Sequence, residues 1–388
     1  MFRIFVLAIA VASPSFGQSG KMEFWKQQRR GANGDVRDVS DEWFKAAANS
    51  GIEWIRLSHA GIKPADRDPL IGNADKFTVI PPSDLKQLMQ ALDLAHKHDV
   101  RIVLTTFSLP GCRWKQHNDG EFDYRIWHDV AFHEQSADFW KDLARATKDH
   151  PAVVGFNVLN EPHPERERGF ETLTTDAKKW LGEVRGTAAD LSKFNRTMHK
   201  AIREVDTETP VMFDGCFHAS PEGLACTEPL ADRNVLYAFH FYSPWEFTTF
   251  RVNRGRFSYP DRMPGKSDGT VQWSKSSLAS QFQPVLEWST RHGIPANQLV
   301  LSEFGCGRCV PGAREYLRDT IDLAENRQWH WAFYSFRSSD WDSMDYELGT
   351  EKMKWKYWKQ REDGVPHNQL VKRRDNPLWQ VIRSRFKK

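Results

Sequence analysis

The sequence FNVLNEP, residues 156–162, closes an apolar segment that begins at Val153. Its β-branched and aromatic residues favour a strand, and Pro162, which has no N–H to donate to a sheet, ends that strand. Asn160 and Glu161 are therefore predicted at the C-terminal end of a buried strand. Polar turns commonly end strands, so the stretch becomes informative only through what the rest of the chain places beside Glu161.

Strand and helix patterns alternate on both sides of this segment. Eight apolar strands are predicted, at residues 22–34 (with an exit loop), 52–58, 100–107, 153–159, 210–215, 235–242, 298–305 and 329–336. Amphipathic helices are predicted between and after them, at residues 43–50, 82–99, 132–149, 188–205, 278–292, 314–327 and 376–386. Apolar strands that alternate with helices are typical of a parallel sheet covered on both faces.

The even spacing of eight strands favours one closed barrel over an open, doubly wound sheet. No linker rich in Pro, Gly or Ser divides the chain. We therefore predict an α/β protein, a (β/α)8 TIM barrel in which residues 18–388 form a single domain with long loops after the third, fourth and sixth strands. No Gly-rich phosphate or dinucleotide loop follows a strand, so no cofactor is expected.

Charge and aromatic content narrow the class of partner. The chain has 54 basic and 51 acidic residues, a formal net charge of +3, which is too balanced to indicate binding to nucleic acid. It also has 16 Trp and 25 Phe residues, most of which must pack in the core. Trp rings in loops can also stack on sugars. Candidates in the loops predicted at the barrel mouth are Trp114, Trp127, Trp245 and Trp341.

Residues 1–17 predict a cleavable signal peptide. Arg3 precedes an apolar stretch at residues 4–12, and small residues follow at the positions that determine cleavage. The apolar stretch is too short to span a bilayer. A secreted or periplasmic protein without a membrane span is therefore expected.

The five cysteines allow more than one arrangement. Cys216 and Cys226 would close a short disulfide loop, Cys306 and Cys309 form a C-x-x-C pair, and Cys112 stands apart, so parity leaves one thiol unpaired. There is no second close pair and no HExxH motif, and no metal site is predicted.

Two carboxylates end predicted strands of the same barrel. Glu161 ends the fourth strand and Glu303, in the sequence SEF, ends the seventh. The C-terminal ends of all strands of such a barrel face one mouth, so the fold would bring these carboxylates together. Two carboxylates in an aromatic cleft suit glycoside hydrolysis, in which one carries a proton and the other stays ionised.

Four further side chains are predicted at this mouth. Arg56 ends the second strand and would keep a carboxylate charged. His240 and Tyr242 share one face of the sixth strand, because side chains alternate with a period of two. Asn160 could bind a sugar hydroxyl.

Together these residues resemble glycoside hydrolase family 5, a cellulase-type family of retaining (β/α)8 glycosidases. The resemblance covers nearly all of residues 18–388, and it rests on Arg56, Asn160-Glu161-Pro162, His240-Phe241-Tyr242, Ser302-Glu303-Phe304-Gly305 and an aromatic last strand.

The resemblance implies a double displacement, with Glu161 as the acid/base and Glu303 as the nucleophile. Other side chains are implied to bind substrate or to support these two: Asn160 at the sugar 2-hydroxyl, Arg56 and Tyr242 beside Glu303, and His240 near Glu161.

Two positions differ from the family pattern. Many members have a His at the end of the third strand, where IVLTTFSLPG has Phe107, and an Asp where this chain has Thr105. Many also have a Trp beneath the sugar at the end of the last strand, where WAFYSF has Tyr334, with Trp331 earlier. Tyr334 and Trp331 are therefore the aromatic sugar contacts predicted here, in a subsite shaped differently from that of cellulases.

The sequence thus predicts a retaining β-glycosidase that acts on a β-linked glucan or mannan, endoglucanase-like or related. We expect a monomer whose partner is a polysaccharide or oligosaccharide. The alternative is a catalytically silent carbohydrate-binding barrel, against which the presence of both carboxylates with Arg56 and Tyr242 argues. A metal-dependent barrel hydrolase would need a cluster of His and Asp at strand ends, where His240 has no His partner.

Overall fold

Eight parallel strands close into a barrel, which confirms the predicted (β/α)8 TIM fold. The order around the barrel is β1-β2-β3-β4-β5-β6-β9-β10, and β10 pairs with β1. The strands are β1 Arg30–Asp35, β2 Trp54–Ser58, β3 Arg101–Thr105, β4 Val153–Asn157, β5 Val211–Asp214, β6 Val235–Phe241, β9 Leu299–Phe304 and β10 His330–Phe333. An antiparallel hairpin, β7 Asp261–Pro264 with β8 Thr270–Trp273, lies in the loop after β6.

The computed structural model describes residues 20–59, 67–115, 118–170, 177–224, 226–265, 269–338 and 342–386. The predicted signal peptide, residues 1–17, lies outside them, as does Trp341.

Helices follow the strands. Those in the described ranges are α1 Gly20–Phe24, α2 Asp41–Ser50, α3 Pro82–Lys97, α4 Ala131–Thr147, α5 Ala177–Val184, α6 Leu191–Arg203, α7 Cys216–Ala219, α8 Pro221–Leu224, α9 Trp245–Thr248, α10 Phe250–Asn253, α11 Lys275–Gln281, α12 Gln283–His292, α13 Ala313–Glu325, α14 Trp355–Glu362, α15 His367–Leu370 and α16 Pro377–Phe386. None of these described helices is long and apolar enough to cross a bilayer.

Local sequence signals explain several helix ends. The Ser40 side chain accepts a hydrogen bond from the Trp43 N–H and begins α2, and Gly51 ends it in the left-handed conformation with φ 88°. Asp190 caps α6 in the same way, through the Lys193 N–H.

Two predicted elements differ from the structure, and one observed hairpin was not predicted. The first strand begins at Arg30, and the residues before it form α1. The helix predicted at 278–292 is two helices that meet at Phe282, because Pro284 begins a new helix. The hairpin of β7 and β8 was not predicted, since most of its exposed residues are polar and its short strands carry no apolar strand pattern.

All five cysteines lie in the described ranges, and Cys112, Cys216, Cys226 and Cys306 are free thiols. Cys216 and Cys226, the pair predicted to close a short loop, have their thiols in hydrogen-bonding contact.

The barrel interior is filled by side chains from alternating strand positions: Trp54, Val103, Val154, Met212, Leu236, Ala238, Val300 and Ala332. Gly31 is required beside Trp54, because a Cβ there would lie 2.6 Å from the indole ring. Trp25, which follows α1, closes the N-terminal end of the barrel. Its ring packs edge-on against Trp54 at 5.2 Å, and its Nε1–H donates to the Val154 carbonyl at 2.9 Å.

Replacing this closing residue should destabilise the whole barrel. We expect Trp25→Ala to lower the free energy of unfolding by about 3–5 kcal/mol, because it leaves a cavity and an unpaired carbonyl. Urea denaturation followed by far-UV circular dichroism would measure the change. The matched control is Trp355→Ala in α14, where the side chain is 75% exposed and the cost should stay within about 0.5 kcal/mol. Equal unfolding midpoints for the two variants would contradict the assigned role of Trp25.

Candidate active site

The C-terminal ends of five strands meet at one mouth of the barrel. β2 contributes Arg56, β4 leads into Glu161, β5 ends at Asp214, β6 carries His240 and β9 carries Glu303. Glu161 has a left-handed backbone, with φ 48°. Its N–H donates to Asp214 Oδ2 at 3.2 Å and its carbonyl accepts from His163 Nδ1 at 2.6 Å, so the turn after β4 is held on both sides.

The two predicted catalytic carboxylates lie side by side. One oxygen of Glu161, one oxygen of Glu303 and one ring nitrogen of His240 are all within 4.8 Å of one another. Glu303 is 5% exposed, and its two oxygens have different partners. Arg56 Nη1 donates to Oε1 at 2.5 Å, and the Tyr242 hydroxyl donates to Oε2 at 2.9 Å.

Glu161 is held by a different group. Its Oε1 lies 2.8 Å from His240 Nδ1, and the same nitrogen is 3.7 Å from Glu303 Oε2. One imidazole therefore bridges the two carboxylates, while only Glu303 is bound directly by a permanent cation.

Arg56 connects several of the strands. The side chain is 1% exposed. Besides Glu303, its guanidinium donates to Asn157 Oδ1 at 2.7 Å, Asn160 Oδ1 at 2.8 Å, Asn33 Oδ1 at 3.3 Å and Asp214 Oδ2 at 3.3 Å. A buried guanidinium with all these acceptors is fixed in position and in charge.

Burial and charge act in opposite directions on the pKa values of this cluster. Burial raises the pKa of Glu303 above its ordinary value, and the positive charges of His240 and Arg56 limit the rise. Burial also acts to raise the pKa of Glu161, but the hydrogen bond and charge of His240 outweigh it and hold that pKa below the ordinary value. Burial alone would lower the pKa of His240, yet the carboxylates of Glu303, Asp214 and Glu161 raise it.

Asp214 belongs to the cluster although the sequence did not single it out. It is 2% exposed and accepts from Asn157 Nδ2 at 2.9 Å, in addition to the Glu161 N–H and Arg56. Its Oδ2 also lies 3.5 Å from His240 Nε2. The available signal was the position of an acidic residue at the end of a predicted strand, the same signal that identified Glu161 and Glu303.

The structure separates the two predicted aromatic sugar contacts. Tyr334 follows β10 at the mouth, where burial and, to a smaller extent, the carboxylate charge of Glu303 raise its pKa. Trp331 does not belong to the site, and its prediction as a substrate contact is wrong. Its ring is fully buried against Phe304 and Phe386, and its Nε1–H donates to the Glu325 carboxylate at 2.8 Å, because that position of β10 faces the helices.

The Trp residues predicted as sugar-stacking candidates differ in how exposed they are. Trp245 is 56% exposed, in α9 after β6. Trp114 is partly buried and packs against Phe107 with ring centroids 5.2 Å apart. Trp127 is 2% exposed and packs in the core against Phe194, so it is not a sugar platform.

Glu161, His240 and Glu303 offer three donor atoms at a spacing that a metal ion would need. The charge environment differs from that of an ordinary cation site, because the guanidinium of Arg56 already lies 2.5 Å from the Glu303 carboxylate. Arg56 thus already places a positive charge beside the Glu303 carboxylate, where a bound metal ion would otherwise place one.

Comparison with known proteins assigns the chain to a family. The family model for cellulase (glycosyl hydrolase family 5) matches residues 18–340. Endoglucanase C of Acetivibrio thermocellus is 21% identical over 252 residues, which are 64% of this chain. The chain spans 64% of the length of that relative.

Solved structures share the fold at low identity. A hyperthermophilic endo-β-1,4-glucanase in complex with substrate has a TM-score of 0.60 and 18% identity, over 95% of this chain and 100% of that one. Thermotoga maritima Cel5A in complex with mannotriose has a TM-score of 0.56 and 20% identity, over 82% of this chain and 93% of that one. With the family model matching most of its length, this chain belongs to glycosyl hydrolase family 5, a family of glycoside hydrolases.

Proposed function

We propose that this protein is a retaining β-glycosidase that hydrolyses O-glycosidic bonds in a β-linked glucan or mannan. The observation that carries the proposal is the carboxylate pair, whose nearest oxygens are within 4.8 Å. Retaining enzymes hold their two carboxyl groups about 5–5.5 Å apart, whereas inverting enzymes need about 6.5–9.5 Å to admit a water molecule. The short separation supports direct attack by a carboxylate.

The partners of each carboxylate support distinct roles. Glu303, bound by Arg56 and Tyr242, is the nucleophile: an oxygen of its carboxylate bonds to the anomeric carbon as the glycosidic C–O bond breaks. Glu161 gives its proton to the departing oxygen. In the second step Glu161 takes a proton from water, the water oxygen bonds to the anomeric carbon, and Glu303 leaves as a carboxylate.

The family and one exposed aromatic residue support the proposed substrate class. The relatives include endoglucanases, and an exposed Trp245 suits a chain of sugar rings. Asn160 Oδ1 is used by Arg56, so a hydrogen bond to the sugar 2-hydroxyl would come from its Nδ2 group. We further propose that the protein is exported and acts on polysaccharide outside the cytoplasm, in line with the signal peptide predicted at residues 1–17.

The direct test is a screen of the protein without residues 1–17 against glucans, mannans and short aryl β-glycosides, with and without a chelator. Activity should survive the chelator. Proton NMR of the first product should show the β-anomer before mutarotation. Initial release of the α-anomer would contradict the nucleophilic role of Glu303, and absence of hydrolysis together with glycan binding would favour a silent carbohydrate-binding barrel.

Azide should distinguish the two carboxylates. Glu303→Ala should lose activity by several orders of magnitude, and azide in the vacated space should attack the anomeric carbon directly and give an α-glycosyl azide. Glu161→Ala should retain most of kcat/KM on aryl glycosides with good leaving groups, because their first step needs no proton, and azide should give a β-glycosyl azide from the covalent intermediate.

The matched control for both variants is Glu228→Gln, an exposed carboxylate that pairs with surface arginines and should leave turnover unchanged. The same azide anomer from both catalytic variants would refute the assigned roles.

A plot of kcat/KM against pH should fall on both sides of an optimum, with an acidic limb and an alkaline limb. The value of kcat/KM should fall at low pH as Glu303 takes up a proton, with a midpoint above the ordinary Glu pKa of about 4.3, because burial raises this pKa. Tyr242 donates to the ionised form of Glu303 and so lowers its pKa, which means that Tyr242→Phe should move this acidic midpoint to higher pH. Tyr357→Phe, in the outlying α14, should leave it in place. An unmoved midpoint in Tyr242→Phe would contradict the assignment of this limb to Glu303.

A further inference from the structure

The two ring nitrogens of His240 face different carboxylates. Nδ1 lies 2.8 Å from Glu161 Oε1. Nε2, on the other side of the ring, lies 3.5 Å from Asp214 Oδ2, which is an ion-pair distance, and has no hydrogen-bond partner within the described part of the chain. Both His240 and Asp214 are buried, at 3% and 2% exposed.

Asp214 is itself held rigidly. Asn157 Nδ2 donates to Oδ1, while the Glu161 N–H and Arg56 Nη2 donate to Oδ2. In each of these contacts an Asp214 oxygen is the acceptor, so the side chain also faces the imidazole with acceptor atoms. A proton on Nε2 is therefore stabilised by Asp214, and a bare Nε2 would face a negative oxygen.

We propose that Asp214 is a positioning residue that keeps His240 protonated at Nε2, so that Nδ1 shares the catalytic proton with Glu161. This inference rests on the proposed function and deepens it. With Nε2–H fixed, one proton occupies the Nδ1···Oε1 hydrogen bond. When that proton is on Nδ1, the pair is an imidazolium beside a Glu161 carboxylate. When it is on Oε1, the pair is a neutral imidazole beside the Glu161 carboxylic acid. The two forms contain the same number of protons.

The arrangement explains how Glu161 can act as an acid although its own pKa is lowered. The hydrogen bond to His240 lowers that pKa only because the proton rests on Nδ1, 2.8 Å away. When the glycosidic oxygen departs, the proton returns to Oε1 and passes to the leaving group. The pair thus loses its proton at a pKa that belongs to both groups together.

The charges that face His240 come from several elements. Glu161 follows β4, Asp214 ends β5 and Glu303 lies in β9. His218, in the turn after β5, opposes a positive charge on His240. Arg56, from β2, contacts Asp214 and Glu303. Among the three carboxylates, Asp214 is the one that approaches the ring from the Nε2 side and takes no part in bond making.

Asp214→Asn tests the proposal. Loss of the negative charge lowers the proton affinity of the Glu161–His240 pair, so the alkaline limb of kcat/KM should move to lower pH by about one unit. On the sugar that the wild type prefers, kcat/KM for an alkyl or phenyl β-glycoside, a poor leaving group, should fall about 10–100-fold at neutral pH. The corresponding 2,4-dinitrophenyl glycoside should change by less than about threefold, since it needs no acid.

The control is Asp206→Asn. Asp206 is also buried, at 5% exposed, but it lies before β5 at the opposite end of the barrel, where it accepts hydrogen bonds from backbone N–H groups. It should move neither the alkaline limb nor the ratio of the two glycosides. Equal losses on both glycosides in Asp214→Asn, with an unmoved alkaline limb, would show a merely structural role and overturn the proposal.

A measurement on the wild type covers the case in which Asp214→Asn fails to fold. In 15N-histidine-labelled protein, the His240 signal, identified by its loss in His240→Gln, should show a protonated Nε2 throughout the active pH range. An unprotonated Nε2 would overturn the proposal even if the protein is a retaining glycosidase. Conversely, a wild type that hydrolyses no glycoside would defeat the proposed function, whatever the His240 spectrum shows.

Discussion

The guanidinium of Arg56 is the interaction on which the site depends. It is a permanent charge with almost no exposure to water, and such a charge is tolerated only when acceptors surround it. Those acceptors are side chains of β1, β4, β5 and β9 and of the turn after β4, so one residue fixes the spacing of strand ends on opposite sides of the barrel. The same hydrogen bonds satisfy the buried cation and hold the carboxylate of Glu303 in place.

The backbone conformation of Glu161 determines where its carboxylate points. Its left-handed conformation, with φ 48°, is unfavourable for a side chain with a Cβ and persists only where the surroundings impose it. Here the Asn160 N–H bonds to the Thr106 carbonyl, and the Glu161 N–H bonds to Asp214. Neighbouring strands thus impose the turn that directs the carboxylate towards His240 rather than along β4.

Much of this arrangement was predictable because a parallel barrel brings every strand's C-terminal end to one place. Acidic and basic residues at those ends, Glu161 and Glu303 among them, could be placed without coordinates. Trp331 was misplaced through alternation: it lies three positions before Tyr334, an odd number, so the two rings face opposite sides of the sheet. The burial of Trp127 depends on its packing against Phe194, which is distant in sequence, so no local pattern could predict it. Asp214 lies at the end of a predicted strand, yet its place in the charged cluster became evident only from its contacts with side chains of three other strands.

The charge count of the buried cluster gives the site its proton. Among the described residues, the carboxylates of Glu161, Glu303 and Asp214 form their ion pairs with two basic side chains, Arg56 and His240. With His240 neutral and every carboxylate ionised, the cluster would carry two uncompensated negative charges away from water, which is costly. One proton on the Glu161–His240 pair halves that excess. In the proposed mechanism, a sugar that displaces water from the mouth would strengthen every charge interaction there, so the cluster would keep the proton more firmly until the leaving group takes it. The proposed general acid would therefore be supplied by the balance of the whole cluster rather than by the surroundings of Glu161 alone.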